Sequence, residues 1–589
     1  MINKIKNSLV IFLILVVGIL ASRDLFRFGY FPMHDDLQMM RQLQLEKCFK
    51  DGQIPCRWVP DMAYGYGFPL FNYYPPLPYL IGQVFRTMGL PFTDTAKYTF
   101  ALSIILSGIT MYLFSRRFFG KFGGFISSVF YVWAPYHAVD IYVRGAMNES
   151  WALVWFPLIF LSSYEMLKTK KKFLENGWGL VFSVSLFCLL TTHNLMVLIF
   201  IPIVMVWLFL RLFIEKAITS KIFEYLFYGL LGLGMASFFT LPALLENKFT
   251  QVKSQLQGYY DYSAHFVSIY QLLFSRFWGF GPSVWGIEAD RMAFPVGHFH
   301  WIASIIVIFL LAAYLIKKRD KLIIIIKEND TLFLTGFLFC VGWVSAFFVH
   351  QKSAIIWSAI EQLRYLQFPW RFITITIFSF SFIAGFIPYI ILKFFEGRSW
   401  LIKFSLKIFS SAILLLLTLL LIVFNWNYFK VETIGPVTDE GKFSGVAWDL
   451  QQTAGIYDYL PIQAKIAPNG PKRVIAEIMD GKVEISEPSE GTNWIRFKAK
   501  VLSEDSKVRI NTLDFPNWRV FANGIELKKY IPEEEMFGRF WIDLPMGDHE
   551  IYAKLYNTPV RTISNIISLG SFSLFFIVLY LRRNKPKNI

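Results

Sequence analysis

The sequence predicts a polytopic α-helical membrane protein with about 12 transmembrane helices and a small extracytoplasmic β-sandwich inserted before the last helix. Of its 589 residues, 55% are hydrophobic and only 17% are charged, a composition too apolar for a soluble protein of this size. The lysines and arginines cluster in short runs between long apolar segments. Short runs of alternating apolar and polar residues between positions 474 and 555 indicate strands.

The predicted spans are apolar segments of roughly the 20 residues that cross a bilayer. The first covers residues 9–21, and we expect an uncleaved anchor, because no clean small-x-small cleavage site follows it. The others cover residues 97–115, 122–139, 151–167, two spans within 179–212 that are separated at His193 and Asn194, 222–245, 300–316, 331–349, 372–392, 404–424 and 563–581.

The basic runs after residues 115, 167, 210, 316, 392 and 581 are expected in the cytoplasm. Both termini are then cytoplasmic, and residues 22–96, 246–298 and 350–371 form outer loops. We predict a transmembrane domain at 1–424, an extracytoplasmic β-sandwich at 425–561, with a hairpin turn at Asn523 and Gly524, and a final helix and tail at 562–589. The net charge of +16 does not indicate nucleic-acid binding, since the basic residues act as topological anchors.

The first outer loop carries an acidic pair, Asp35 and Asp36, beside His34 and close to Arg41. A carboxylate in a partly desolvated cleft is a better general base towards a hydroxyl, so the pair is a candidate catalytic centre. An alternative is structural, because acids are also favoured in the first turn of a helix. Arg41 is expected to pair with the acids in either case.

Arginines recur on the predicted outer loops, where positive charge is usually excluded: Arg57, Arg144, Arg364 and Arg371. Bidentate binding of a phosphate at the lipid headgroup level is one role that such arginines perform. The alternative is a salt bridge, of Arg144 with Glu149 or of Arg364 with Glu361.

The histidines and aromatic residues are less specific. His193 is expected to form a structural turn, with its neighbouring Thr and Asn side chains as hydrogen-bond partners. His298 and His300 lie near Glu288 and Asp290 and are weak candidates for a divalent metal site. No cofactor is otherwise predicted.

Tyr64 and Tyr66, in the YGYG run, suit both a membrane-interface belt and sugar stacking. Cys48 and Cys56 are eight residues apart in the first outer loop. This spacing is compatible both with a disulfide and with two free thiols.

Several longer motifs resemble a known family: HDD, DGQIPCRW, YGYGFPLFNYYPPLPY, YVRGAMNES, TTHN, GPSVWGIEADRMAFPVGH, LQFPWRF and FPNWRVFANG. This set resembles a bacterial family of large membrane proteins labelled as 6-pyruvoyl-tetrahydropterin synthase-related, and it is similar to the GT-C glycosyltransferases. Nothing in the sequence is similar to a soluble zinc-dependent pterin enzyme.

The resemblance implies an inverting transfer of a sugar from a polyprenyl-phosphate donor to a glycan or lipid acceptor, on the outer face of the bacterial cytoplasmic membrane. It implies a general base in the first outer loop, which is Asp35 here, with Asp36 as the second candidate. Arg364 or Arg371, near LQFPWRF, would bind the phosphate. The alternatives are a transporter or flippase of lipid-linked glycans and a catalytically inactive scaffold for envelope assembly.

Overall fold

Long apolar helices make up most of the chain, and two antiparallel sheets precede the last helix. The structure is a computed structural model, and it describes residues 2–170, 173–283, 291–317, 329–394 and 400–584. The described α-helices, numbered α1 to α20 in chain order, are Ile2–Ala21, Gln38–Lys50, Leu70–Tyr73, Leu77–Thr87, Phe92–Val132, Pro135–Ala138, Met147–Lys168, Gly177–Leu190, Asn194–Ile214, Ile218–Leu245, His298–Lys317, Asp330–Val349, Ala354–Ala359, Glu361–Arg364, Ile373–Ala384, Phe386–Phe394, Trp400–Asn425, Asp439–Lys442, Gly445–Thr453 and Pro559–Arg583.

Nine helical segments within the described residues are long and apolar enough to cross a membrane. They are Phe92–Val132, Met147–Lys168, Asn194–Ile214, Ser220–Leu245, His298–Lys317, Asp330–Val349, Pro369–Phe394, Ser411–Tyr428 and Pro559–Arg583. Two shorter apolar helices cover Ser8–Ala21 and Gly177–Leu190. The chain is therefore a polytopic helical protein with about nine candidate spans, against about twelve predicted from the sequence.

The two counts differ at identifiable helices. The predicted span 97–115 and most of the predicted span 122–139 lie in α5, a 41-residue helix that ends at Val132 and has non-helical backbone angles at Gly120 (φ 73°, ψ −176°). Glycine adopts these angles without a steric penalty. The predicted span 9–21 and the first predicted span within 179–212 correspond to the two shorter apolar helices. The predicted break at His193 is confirmed, since this residue caps α9 and its Nδ1 accepts a hydrogen bond from the Leu195 amide at 3.2 Å.

A charged cluster joins three helix ends. Lys168, at the end of α7, lies 2.9 Å from Glu215 and 2.8 Å from Asp330. Arg211, in the last turn of α9, pairs with the same two acids. Two of the predicted basic runs therefore meet at one end of the helices, opposite the end where α7 and α9 begin.

Strands β1 to β9 form two antiparallel sheets before the last helix, with orders β1-β4-β8-β7 and β2-β3-β9-β5-β6. Their bounds are Ala476–Asp480, Val483–Glu490, Trp494–Val501, Ser506–Leu513, Trp518–Ala522, Ile525–Leu527, Lys529–Tyr530, Arg539–Leu544 and Gly547–Leu555. Alternate residues are buried along β3, as expected for a strand with one face towards a core. The predicted turn at Asn523 and Gly524 is confirmed, since it joins the paired residues Ala522 and Ile525.

The residues that follow α17 contain two short helices before the first strand. Residues 439–460, here called the covering segment, include α18 and α19 and pack against the first loop. The Gln452 carbonyl accepts a hydrogen bond from the Ala63 amide at 2.8 Å. The carboxylate of Asp439, at the start of the segment, accepts hydrogen bonds from the first two amides of α5, at 2.7 and 2.9 Å.

A buried carboxylate connects the first loop, α10 and the last helix. Glu246 accepts hydrogen bonds from Asn72 at 3.0 Å, from Thr558 at 2.5 Å and from Arg561 at 2.8 Å. The side chains of Glu246 and Arg561 are each 1% exposed. A carboxylate is stable at such a site only when it is paired and hydrogen-bonded, and this one is.

We expect Glu246→Ala to lower the free energy of unfolding by about 3–5 kcal/mol, because the substitution leaves Arg561 buried without its counter-charge. Denaturant unfolding of the full chain in detergent micelles measures the effect. As a control, Glu526→Ala removes the partner of Arg519 in an exposed ion pair and should leave stability unchanged. Equal stabilities for the two variants would contradict the structural role of Glu246.

Candidate functional site

A cavity of about 760 Å³ lies where the helix ends and loops meet. Its walls come from six parts of the chain: the first loop, the turn before α7, the turn between α8 and α9, the end of α10 with its following loop, the residues before α15, and the covering segment. The three predicted outer loops therefore meet at one place. Eight predicted site residues line the cavity: His34, Asp35, Asp36, Arg41, Arg144, Glu149, His193 and Arg371.

The Asp35 carboxylate is held by a guanidinium group on the next helix. Arg41 Nη1 donates to Oδ2 at 2.7 Å, and Arg41 Nη2 donates to Oδ1 at 2.9 Å. The Asp35 amide donates to the Arg144 carbonyl oxygen at 2.9 Å, which attaches the acidic pair to the turn before α7. Neither acid caps α2, whose N-cap is Leu37 without a side-chain hydrogen bond. The pairing with Arg41 is as predicted, and the capping alternative is not what the structure shows.

The Asp36 carboxylate pairs with a residue of the covering segment. Lys442 Nζ donates to Asp36 Oδ2. Burial raises the pKa of Asp36, while the charge and hydrogen bond of Lys442 lower it. The two neighbouring acids therefore have different cationic partners, Arg41 from the first loop and Lys442 from far along the chain.

Arg144 lies in a buried network with two acids. Its Nη1 contacts Glu149 Oε2 at 2.8 Å and pairs with Asp140. Its guanidinium carbon lies 4.4 Å from the centre of the Trp370 ring, within cation–π range. The salt bridge between Arg144 and Glu149, one of the two alternatives from the sequence, is present. Asp140 was not predicted as a partner.

Arg371 approaches the same acid from the residues before α15. Its Nε lies 3.8 Å from Glu149 Oε2, and its Nη1 donates to the Leu366 carbonyl oxygen at 2.6 Å and to Gln367 Oε1 at 3.2 Å. Thr374 donates to the other Glu149 oxygen at 2.7 Å. Glu149 therefore serves two arginines, and both of them reach the cavity.

The two cavity histidines are held as neutral rings. His34 Nε2 donates to the Phe280 carbonyl oxygen at 2.8 Å, and burial lowers the pKa of His34. Burial, with Arg371 close by, lowers the pKa of His193 to about 3. His193 lies at the predicted turn, where it caps α9, but its hydrogen-bond partner is the Leu195 amide and not the predicted Thr and Asn side chains. It also lines the cavity.

Three predicted site residues of the first loop lie outside the cavity lining. Arg57 Nη2 donates to the Phe238 carbonyl oxygen and to Asn565 Oδ1, at 2.9 and 2.8 Å. The backbone of Tyr64 and Tyr66 accepts hydrogen bonds from the chain that enters and forms the sheets. All three hold the first loop to later parts of the chain. Cys48 and Cys56, in the same loop, form a disulfide.

Three further candidates also lie elsewhere. Arg364 is exposed on α14, next to the lining residue Tyr365. His300 is buried, with Nε2 2.8 Å from the Phe130 carbonyl oxygen, and the His298 ring packs on Phe424. Glu288 and Asp290 lie outside the described residues. Within the described ranges, no group of three His, Cys, Asp or Glu residues is arranged to hold a metal ion.

The covering segment supplies site residues that the sequence did not predict, chiefly Asp458, Tyr459 and Lys442. The Tyr459 ring stacks on Tyr73 with 5.3 Å between ring centres. The only sequence signal was an acid between aromatic residues in GIYDYLP, within a stretch that was expected to be part of the β-sandwich.

A family model for the 6-pyruvoyl-tetrahydropterin synthase related domain, described as a membrane protein, matches residues 71–368, just over half of the chain. The chain belongs to this family. The family predicted from the motifs is thereby confirmed, and the chain is an integral membrane protein with multiple spans. The family description names no reaction for these membrane proteins.

Two individual proteins are similar to this chain. An uncharacterized protein of Lactococcus lactis subsp. cremoris (strain MG1363) is 23% identical over 321 residues, which cover 52% of this chain and 50% of the relative. The crystal structure of ArnT from Cupriavidus metallidurans, bound to undecaprenyl phosphate, aligns with 14% identity and a TM-score of 0.37, over 70% of this chain and 64% of ArnT. The matches span about half and just under two thirds of these proteins, and a TM-score at this level does not establish a common fold.

We expect Lys442→Ala to raise the pKa of Asp36 further, because the substitution removes the cation that lowers it and leaves the desolvation that raises it. Infrared titration of the protonated carboxyl band measures this pKa. Subtraction of the spectra of the Lys442→Ala/Asp36→Asn double variant from those of Lys442→Ala isolates the Asp36 band. Lys430→Ala is the matched control, because Lys430, like Lys442, lies between α17 and β1. An Asp36 titration that is unchanged in Lys442→Ala would contradict the pairing.

Proposed function

We propose that this protein is a membrane glycosyltransferase that moves a sugar from a polyprenyl-phosphate donor to an acceptor hydroxyl in the cavity. The observation that carries the proposal is the make-up of the cavity wall, where acidic, basic and aromatic side chains from distant parts of the chain converge. Sugar transfer from a lipid phosphate requires a base, cations for the departing phosphate and flat surfaces for sugar rings. The sequence motifs of the first loop support the same class of reaction.

Asp35 is the proposed general base. Its side chain is 35% exposed. Oδ2 accepts hydrogen bonds from Arg41 and Gln38, whereas Oδ1 accepts one from Arg41 and keeps a second lone pair for the proton of an acceptor hydroxyl. In the proposed step, the acceptor oxygen attacks the anomeric carbon as its proton passes to the carboxylate. The bond from that carbon to the phosphate oxygen breaks, and its electrons leave with the phosphate. Asp36 is the second candidate for the base.

Arg371 and Arg144 are the proposed partners of the phosphate. Among the described residues, the buried Nε of Arg371 has no hydrogen-bond partner. A buried donor without a partner is costly, and a phosphate oxygen would satisfy this one. Preorganised charge around a departing phosphate is commonly the largest contribution to catalysis.

The aromatic lining would seat the sugars. Tyr73 and Tyr459 stack on each other, and the Tyr74 ring lies 4.1 Å from the Arg41 guanidinium carbon. Tyr259 and Tyr365 also face the cavity. Flat rings beside charged groups that form hydrogen bonds are suited to sugars, which have apolar faces and polar edges.

We further propose twelve spans in the bacterial cytoplasmic membrane, with both termini in the cytoplasm and the cavity and sheets outside. Division of α5 at Gly120, together with the two shorter apolar helices, would give this number. The positive-inside rule favours this orientation, because Lys168 and Arg211 lie at the helix ends opposite the cavity. The acceptor would then be an envelope glycan or a lipid.

Asp35→Asn is expected to lower the transfer rate by about 10²–10⁴-fold, the usual contribution of a general base. The assay uses the full chain in liposomes, with a donor identified by mass spectrometry of the lipids that copurify with the protein. Asp480→Asn, an exposed acid on β1, is the matched control and should keep the wild-type rate.

Three results would contradict this proposal. The first is a wild-type rate in both Asp35→Asn and Asp36→Asn. The second is movement of labelled lipid between leaflets without any change in its glycan, which would favour a flippase. The third is no turnover with a broad donor panel together with glycan binding, which would favour an inactive scaffold.

Arg371→Lys is expected to raise the KM for the donor by about tenfold, because an ammonium group cannot reproduce the planar, two-pronged donor geometry of a guanidinium group. Steady-state kinetics with varied donor concentration measure this effect. Arg364→Lys is the matched control, since Arg364 is exposed outside the cavity lining. Equal KM values in the two variants would exclude Arg371 as a phosphate partner.

A further inference from the structure

One carboxyl group of the cavity differs from the others in lacking a cationic partner. The described lining holds four basic and four acidic side chains: Arg41, Arg144, Arg371 and Lys442, and Asp35, Asp36, Glu149 and Asp458. Three of these acids are ion-paired, Asp35 with Arg41, Asp36 with Lys442 and Glu149 with Arg144. Asp458 has no ion pair within the described residues.

A tight turn in the covering segment holds Asp458 in this position. The Asp458 amide donates to the Gly455 carbonyl oxygen at 2.9 Å, and Gly455 has a φ of 68°. A Cβ atom at Gly455 would lie 2.9 Å from Asp458 Oδ2, so a side chain there would displace the carboxylate. Gln255 Nε2 donates to the Asp458 carbonyl oxygen at 3.1 Å, which attaches the turn to the loop after α10.

The groups around Asp458 are charged or aromatic. Arg41 and Asp35 of the first loop act on it electrostatically with opposite signs. Burial, with a further contribution from the charge of Asp458, raises the pKa of Tyr459 of its own segment and raises that of Tyr260, in the loop after α10, to about 12, so the Tyr260 phenol is neutral. Lys442 of the same segment is bound to Asp36.

We propose that Asp458 controls the binding of a phosphate anion in this cavity: its neutral carboxyl group admits the anion, and its carboxylate repels it. The inference rests on the proposed function, which supplies a lipid phosphodiester as the ligand. With Asp458 ionised, the eight charges of the lining sum to zero. With Asp458 neutral, they sum to +1, and the extra unit of positive charge favours binding of a phosphodiester anion. Asp140, which pairs with Arg144, lies outside the lining and is not counted in either sum.

The environment of Asp458 makes this control effective near neutral pH. Burial raises the pKa of Asp458 to about 6; the charge of Arg41 lowers it and the charge of Asp35 raises it again. Below about pH 6 the carboxyl group is therefore mostly neutral, and above this value it becomes charged. By linkage, a bound anion raises this pKa further, and affinity for the anion falls as the pH rises through this value.

The test measures binding of a fluorescent polyprenyl methyl phosphodiester, which carries one constant negative charge, to the full chain in nanodiscs of uncharged lipid. Between about pH 5 and about pH 8, we expect the wild-type Kd to rise by about tenfold, a typical effect of one nearby like charge. Asp458→Asn should bind equally well at both pH values, with the Kd of the wild type in acid. Asp458→Glu should keep the pH dependence.

Asp449→Asn is the matched control, because Asp449 is an exposed acid of the same segment and lies outside the lining. It removes the same charge and should behave as wild type. Dimethyl phosphate in water is a second probe, which tests whether the phosphodiester group binds without the polyprenyl chain. If it shows the same pH dependence, the site recognises phosphodiesters generally, and if it does not bind, the lipid chain is needed for binding.

The outcomes separate the two proposals. Lipid binding whose pH dependence survives in Asp458→Asn, or wild-type binding without any pH dependence, overturns the role of Asp458 and leaves the proposed transfer intact. Absence of lipid binding in wild type at every pH overturns both. Unfolding temperatures of all variants identify any loss of binding that is due to misfolding.

Discussion

The buried Glu246 carboxylate, at the end of α10, is the interaction on which the arrangement of the chain depends. It binds Asn72 of the first loop, and Thr558 and Arg561 at the start of the last helix. A charge so far from water is stable only while all of these partners are present. It therefore fixes the first loop against the end of α10 and the start of the last helix, and both the first loop and the end of α10 line the cavity.

Much of the fold could be predicted because its signals are local. Apolar length identifies a membrane helix, alternation identifies strands such as β3, and Asn523 with Gly524 forms a two-residue turn wherever the flanking strands pair. The covering segment has no such periodicity. Its two short helices are stabilised by contacts with the first loop, and these are visible only in three dimensions. The span count differed because two predicted spans are joined in α5 despite the non-helical backbone at Gly120, and two others are the shorter apolar helices.

In the candidate site, too, the contacts between residues near in sequence could be predicted and those between distant residues could not. The acidic pair and its partner Arg41 are near in sequence, as are Arg144 and Glu149, and both pairings were among the alternatives that the sequence raised. Arg57 was selected for its charge alone, yet its hydrogen bonds to Phe238 and Asn565 make it a structural link between helices. Asp458 could not be selected, because an acid between two tyrosines carries no specific signal, and its proposed role depends on the lack of an ion pair with any described residue.

Paired charges dominate the wall of the cavity, and this has an energetic meaning. Each pair removes two charges from water at the cost of desolvation, which the mutual attraction repays only with good geometry. Because the paired side chains are already held in position before a ligand binds, little reorganisation is needed when charge develops on the ligand. Arg371 and Asp458 are the least compensated members of the described lining, which is why the proposals above assign the response to a ligand to them.

The ion pair of Asp36 with Lys442 joins residues that are 406 positions apart. During biosynthesis the acids of the first loop emerge long before the lysine that neutralises one of them. Until the covering segment has been synthesised, Asp36 lacks this lysine and the cavity lacks one of its walls. The wall of the cavity is therefore completed late in translation, once the covering segment packs against the first loop.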